Sequence, residues 1–258
     1  MGLRASGRRE RHAAAGLAGT GPLLLSIDTS GSRLNVALSR GSELLAFHSA
    51  LHPFSHAAAL LPVIDLLLEG QRVTVADLEG VGLCIGPGSF TGLRVGMTTA
   101  KAIAAPGRLP VAAVTSTLLL AAGSGAAGLV APLIDARRGE VYSALYQVGA
   151  TTHGPCGTDA ELPVEVLAPE AGTPEGSLAR VVEASAGPVT LVGSACVTYA
   201  ALLRDKGADR IALAPASRCS ISAEVLAQLC SQRLKAGLTA DAGQLEPLYV
   251  GRPPIHGK

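Results

Sequence analysis

The apolar residues of this chain fall into short runs that alternate with longer, helically spaced segments. Leu23–Asp28, Asn35–Leu38 and Glu43–Ala50 follow one another across brief polar breaks and read as three strands joined by turns. From His56 the spacing becomes that of an amphipathic helix, with Leu60, Leu61, Ile64, Leu67 and Leu68 on one side, which predicts a helix over His56–Leu68. A strand over Leu78–Ile85, a helix over Phe90–Ala105, a strand over Val111–Val114 and a short helix after Ser116 complete the set. The same order then returns. Strands over Leu129–Asp135, Glu140–Val148 and Glu161–Leu167 precede a helix over Pro174–Ser185, a strand over Val189–Gly193, a helix over Val197–Leu203, a strand over Ile211–Leu213 and a helix over Ala223–Ala236. Both halves read βββαβαβα.

Three strands joined by short turns form a meander, whereas strands that alternate with helices must be parallel crossovers. A helix-covered mixed sheet occurring twice is the plan of the actin-like ATPases, hexokinases and sugar kinases, so the expected class is an α/β, actin-like fold. Its first half is expected over residues 22–115 and its second over 116–216. The helix Ala223–Ala236 and the rest of 217–258 are expected to pack back on the first half. The hinge is placed near Thr115–Gly128, where Ala121-Ala122-Gly123-Ser124-Gly125 reads as a loop. Turn residues in Gly149–Gly157 and Ala168–Gly176 lie inside the second half.

Composition narrows this picture. Of the 258 residues 48% are hydrophobic, which suits a buried globular core rather than a disordered chain. Only 3% are aromatic and none is Trp, so that core is built of Ala, Val and Leu. No apolar run approaches the roughly 18 residues of a membrane span. Cys84, Cys156, Cys196, Cys219 and Cys230 are odd in number and lack close pairing. They point to a reduced, cytoplasmic setting and away from a zinc site. The formal charge is +1, but residues 1–21 hold Arg4, Arg8, Arg9 and Arg11 against Glu10, a local +3 that leaves the remainder at −2. That stretch is expected to be a disordered basic leader or an early start, with a transit peptide as the lesser reading. A body at −2 is a poor electrostatic partner for nucleic acid on its own.

Candidate chemistry lies at the turns. Gly86-Pro87-Gly88-Ser89-Phe90-Thr91-Gly92-Leu93-Arg94-Val95-Gly96 joins a strand to a helix whose small residues Gly92, Gly96 and Ala100 allow a close neighbour. It either cradles a phosphate or packs; it lacks the Gly-Lys-Ser/Thr of a P-loop. Asp28-Thr29-Ser30-Gly31-Ser32 fits a nucleotide-phosphate turn and equally an ordinary hairpin turn. Its counterpart Asp135-Ala136-Arg137-Arg138-Gly139-Glu140 sets two Arg where amides should face phosphate, and Leu191–Cys196 holds one glycine where an adenosine turn needs two. Autonomous ATP hydrolysis is therefore not expected. His48, His52 and His56 recur every four residues, but Pro53 breaks any common helix, and no metal site is expected.

The glycine block resembles the signature of the bacterial TsaB (YeaZ) family. Leu25–Ser30, Ile134–Tyr142 and Glu246–Val250 agree with that family in order and spacing, so the resemblance runs from about Leu23 to Arg252. It implies a non-catalytic subunit that binds and activates the TsaD threonylcarbamoyl transferase in forming threonylcarbamoyladenosine beside the tRNA anticodon. The His-x-x-x-His metal pair of TsaD has no counterpart in Val111–Ala122. The implied partners are a TsaD-like subunit, a TsaE-like ATPase and, when alone, a second copy, with tRNA reached only through the complex. No cofactor is intrinsic, and ATP or ADP would be met at the complex. The apolar arcs of the helices His56–Leu68 and Phe90–Ala105 are wide enough for a protein interface or for deep burial. The resemblance favours the interface, made by Leu60, Leu61, Ile64, Leu67, Gly92, Leu93, Arg94, Gly96, Met97, Ala100 and Lys101. Any residual nucleotide contact is assigned to Asp28, Thr29 and Ser30. The alternative is a stand-alone actin-fold ATPase or small-molecule kinase; a metallopeptidase lacks both nucleophile and metal ligands.

Overall fold

The computed structural model describes residues 20–51, 56–149 and 162–251. The expectations for most of 1–21, for His52, Pro53 and Ser55, and for most of Gly149–Gly157 lie outside the described residues. The first sheet holds β1 (Leu23–Asp28), β2 (Arg33–Arg40), β3 (Glu43–Leu51), β4 (Gly80–Cys84) and β5 (Val111–Val114), in the order β3-β2-β1-β4-β5. The second holds β6 (Gly128–Arg137), β7 (Glu140–Val148), β8 (Val164–Gly172), β9 (Val189–Val192) and β10 (Ile211–Leu213), in the order β8-β7-β6-β9-β10. In each, the first three strands pair antiparallel and the last two join parallel to the first. One topology is thus used twice, and the chain has the two-halved actin-like α/β fold. No helix among the described residues is long and apolar enough to cross a membrane.

Strand alternation decides which helix covers which face. Leu23, Leu25 and Ile27 of β1, with Val81 and Leu83 of β4, point to one side and bury against α1 (His56–Gly70) and α2 (Phe90–Ala104). The other side carries Leu24, Ser26, Gly80, Gly82 and Cys84, and meets α7 (Ala223–Lys235). A methyl on Gly82 would meet Cys230 of α7 at 2.7 Å, and one on Gly80 would meet Leu234 at 3.0 Å. These two strand glycines let α7 lie closer to the sheet than side chains would permit. Together with α3 (Ser116–Gly123), α7 forms the layer between the two sheets, where one core cluster runs from Leu24 and Val114 to Leu133 and Leu191. On the outer side of the second sheet lie α4 (Pro174–Glu183), α5 (Ser194–Thr198) and α6 (Ala200–Gly207).

Three expectations need correcting. Residues 121–123 belong to α3, which Thr115 caps by accepting from the Leu118 amide at 3.1 Å, so most of the expected hinge loop is helix and only Ser124 and Gly125 lie beyond it. The strand expected to end at Leu167 continues to Gly172. It is the edge strand of its sheet, where Pro169 withdraws no hydrogen bond from a neighbour. The helix expected over Val197–Leu203 is two helices broken at Tyr199 (φ −110°, ψ 24°), after the β-branched pair Val197-Thr198.

Two outcomes follow from this core. Gly82→Val should destabilise the chain by about 1–3 kcal/mol through overpacking against Cys230. A thermal melt should then fall by several degrees, at about 2–4 °C per kcal/mol for a chain of this size. Burial pushes the Cys196 and Cys230 thiols up to about 12. Burial, with the Asp28 charge second, raises Cys84 well above its ordinary value. Because the thiolate is the nucleophile, iodoacetamide at about pH 8 should leave these three unmodified in the native protein and label them only in denaturant, as read by peptide mass spectrometry.

Candidate functional site

The turn after β1 and the glycine block meet at the head of α2. Thr29 is fully buried, and its Oγ1 donates to the Gly92 carbonyl at 2.7 Å. A Cβ on Gly92 would strike the Thr29 carbonyl, one on Gly96 the Thr29 Oγ1, and one on Gly88 the Ser30 carbonyl. All three glycines are therefore required by one close approach within the chain. The Ser89 amide donates to the Ser30 carbonyl at 2.7 Å, while the Ser89 hydroxyl caps α2 by accepting from the Gly92 amide at 3.2 Å. The carbonyls of Gly86 and Pro87, which share a cis peptide bond, accept from the Ser116 amide and hydroxyl.

Asp28 is buried in the same cluster. Its carboxylate accepts from the Ser30 amide and from Asn35 Nδ2, both at 2.9 Å, and Asn35 Oδ1 accepts from Ser49 at 2.7 Å. A nucleotide-phosphate turn needs open amides and hydroxyls facing a cleft. Here Asp28, Thr29 and Ser30 are buried and bonded inward, and only Gly31 and Ser32 of the turn are exposed. The sequence leaves this turn open between two readings, and the structure makes it a hairpin turn wedged beneath α2.

The second turn is closed differently. Arg137, Arg138 and Gly139 all take left-handed backbone angles, with φ of 66°, 54° and 79°. Arg138-Gly139 forms the two-residue loop between β6 and β7, with the positive φ at both positions that a type I′ turn requires. Such angles cost a non-glycine residue about 1–2 kcal/mol. Asp135 holds them: its carboxylate accepts from the Arg137 amide at 2.8 Å and from Thr198 Oγ1 at 3.3 Å, while its own amide donates to Ser194 Oγ at 2.9 Å. Both Arg side chains project from the tip.

No group of three or more metal-ligating side chains occurs among the described residues. His48 lies on β3, whereas His56 opens α1 and donates through Nε2 to the Gly31 carbonyl at 2.9 Å.

The outer surface of α1 and α2 remains. Of the eleven residues expected at a docking face, Leu60, Ile64, Leu67, Gly92, Leu93, Gly96, Met97 and Ala100 are buried against the chain's own first sheet. That is a correction, and its cause is helical periodicity: the richer apolar stripe faces the core. Leu61, Arg94 and Lys101 do reach the outside. The sequence reading counts Ala57, Leu66 and Thr98 in the wider arcs of these helices but does not place Phe90 or Pro62 among the docking residues. Leu61 is 57% exposed, Leu66 64% and Phe90 41%, with Ala57, Pro62 and Thr98 around them. A groove of about 470 Å³ runs between the two helices, lined by Leu61, Phe90, Arg94 and Val95 among others. A second, of about 330 Å³, lies between α2 and residues 245–249. Phe90 follows from its four-residue spacing to Arg94, but nothing local marks the distant Tyr249 as their neighbour.

A family profile described as "TsaD: tRNA N6-adenosine threonylcarbamoyltransferase" matches residues 53–253. The "tRNA threonylcarbamoyladenosine biosynthesis protein TsaB" of Bacillus subtilis is 39% identical over 125 residues, 48% of this chain and 55% of that protein. The protein of the same name from Escherichia coli is 35% identical over 127 residues, 48% of this chain and 54% of its own length. The chain spans about half the length of the curated relatives it matches. The solved structure "YeaZ from Pseudomonas aeruginosa" is 28% identical with a TM-score of 0.74, over 89% of this chain and 100% of that one.

The glycine contact yields a specific expectation. Gly96→Ala should lose about 1–3 kcal/mol because its methyl meets the Thr29 hydroxyl. Thr29→Ala alone should lose about 1 kcal/mol with its hydrogen bond. Because the second change empties the space the first needs, urea unfolding of the double variant should show a loss smaller than the sum. Gly92→Ala, which meets the Thr29 backbone, should gain no such relief.

Proposed function

We propose, because the chain belongs to the TsaB (YeaZ) family of tRNA threonylcarbamoyladenosine biosynthesis proteins, that it serves that modification as a non-catalytic subunit. In this reading it binds a TsaD-type threonylcarbamoyl transferase and activates it. The exposed apolar face of α1 and α2 carries the proposal. Leu61, Leu66 and Phe90 stand in water on two adjacent helices, with only Asp65, Glu69, Arg94 and Lys101 as charges about them. Exposed apolar side chains that line a groove, as Leu61 and Phe90 do, mark a protein interface. A second copy of the chain is its lesser occupant, taken when the transferase is absent.

The inward-bonded first turn supports the non-catalytic part of this reading, and so does the Arg-tipped second turn. In the first turn the Ser30 amide is taken by Asp28, and in the second the Arg137 amide is taken by Asp135, whereas a phosphoryl-transfer site turns such amides toward its phosphates. The charge of −2 on residues 22–258 supports the view that tRNA is engaged through the complex.

Co-purification with the transferase-type subunit of the same cell tests the proposal. Leu61→Asp and Leu66→Asp should each weaken pairing by about tenfold or more, as loss of a buried interface anchor does. Both positions are solvent-exposed in the isolated chain, so melting temperatures should hold. Sustained ATP turnover by the purified chain, or wild-type protein that forms no pair, would remove the reading.

A further inference from the structure

Residues 245–250 run back across α2 as a strap. The Leu248 amide donates to the Ile85 carbonyl at 2.8 Å, just before the glycine block. Lys101 Nζ donates to the Gly243 carbonyl at 3.5 Å, fixing the approach to the strap from the other end of the helix. Between these anchors the Tyr249 ring lies 5.2 Å from that of Phe90, centroid to centroid. The Arg94 guanidinium sits 4.0 Å from the centre of the Phe90 ring, and its Nε donates to the Tyr249 hydroxyl at 3.3 Å. Arg94 is thus stacked on one aromatic residue and held by another that lies 155 positions away in sequence.

This arrangement is more than a surface charge at rest. A mobile Arg loses rotamer freedom when it binds, whereas one already stacked and bonded is pre-organised. Among the described residues only Nε is engaged, so the two terminal nitrogens keep their paired N–H donors there. Among the described residues no carboxylate forms an ion pair with Arg94, although Glu246 lines the neighbouring groove. Arg94 and Thr98 line both grooves, so the guanidinium stands where the two meet.

We infer that the strap is the third wall of the docking face, and that Arg94 selects its occupant: a helix of the transferase-type partner bearing an Asp or Glu on its apolar side. This rests on the function proposed above. A fixed, planar fork without a counter-charge and amid apolar side chains fits a carboxylate held by two parallel bonds. A second copy is disfavoured at this spot, since a two-fold axis through the meeting of the grooves would set Arg94 against its own image.

Affinities of purified wild-type chain, Arg94→Lys and Tyr249→Phe for the transferase-type subunit test this, measured by calorimetry at two salt concentrations, with a melt of each variant. Lysine keeps the charge but loses the fork and the stack, so pairing should weaken by about tenfold or more while its salt dependence is retained. Tyr249→Phe keeps the ring and removes only the bond to Nε, and a smaller loss of about threefold is expected. Wild-type pairing with Arg94→Lys equally tight would overturn the inference while leaving the proposed function standing. If the wild type does not pair, both fall. If Arg94→Lys abolishes self-association in ultracentrifugation yet leaves transferase affinity unchanged, the occupant is a second copy and the inference is again overturned. Should Arg94→Lys melt early, Tyr249→Phe decides alone, and an affinity equal to wild type counts against the strap.

Discussion

The placement of α2 rests on the contact between Thr29 and the two glycines of that helix. Gly92 and Gly96 let the backbone of α2 come down on the turn after β1, and the Thr29 hydroxyl secures it at the Gly92 carbonyl. A single methyl at either position would lift the helix. Because α1 packs beside α2, the same contact sets the groove between them and the height at which Leu61, Phe90 and Arg94 stand above the sheet. The surface that carries the proposed function is therefore fixed from beneath, by residues that never reach it.

The two halves share one topology and have spent their hairpin turns in opposite ways. In the first, Asp28, Thr29 and Ser30 are drawn inward, and Gly31 and Ser32 alone are exposed. In the second, an Asp accepts from its own turn and from α5 so that two arginines hold left-handed angles at an exposed tip. An actin-like plan needs both turns open toward a shared ligand. The two halves thus keep one scaffold while their first turns differ in kind, one drawn inward beneath α2 and one carrying arginines at its tip.

The sequence reading matched strands best where alternation was clean. The bounds of β1, β5, β7 and β10 agree residue for residue, because each is a short apolar run between strong turn signals. It failed where tertiary pairing overruled local composition. Ala168-Pro169 looks like a turn and is the middle of an edge strand; Ala121-Ala122-Gly123 looks like a loop and is the last turn of a helix. At the candidate site the sequence singled out α1 and α2, and eight of the eleven residues it named on them are buried. Leu60 and Ile64 belong with Val63, Leu67 and Leu68 to the richer apolar stripe, which is the one the sheet takes, and Leu61 and Leu66 are left outside. The glycine row was read as a partner's berth when its true neighbour, Thr29, lay 63 residues upstream of Gly92. The strand glycines Gly80 and Gly82 are the mirror case, since their need becomes visible only when α7 arrives from the far side of the second half.

That arrival has a consequence for biosynthesis. Residues 223–250 cover the inner face of a sheet built from residues 23–114: α7 lies over Gly80 and Gly82, Ala240 pairs with Val111 of β5, and Leu248 bonds to Ile85. A ribosome adding about 5–20 residues per second therefore makes the first sheet several seconds before its own covering helix exists. Throughout that interval Leu24, Cys84 and Val114 face no partner from their own half, and β5 keeps an open edge. The half that is translated first is finished last. Its glycine-lined face is the place where a nascent chain of this design is most open to a foreign strand or to a chaperone.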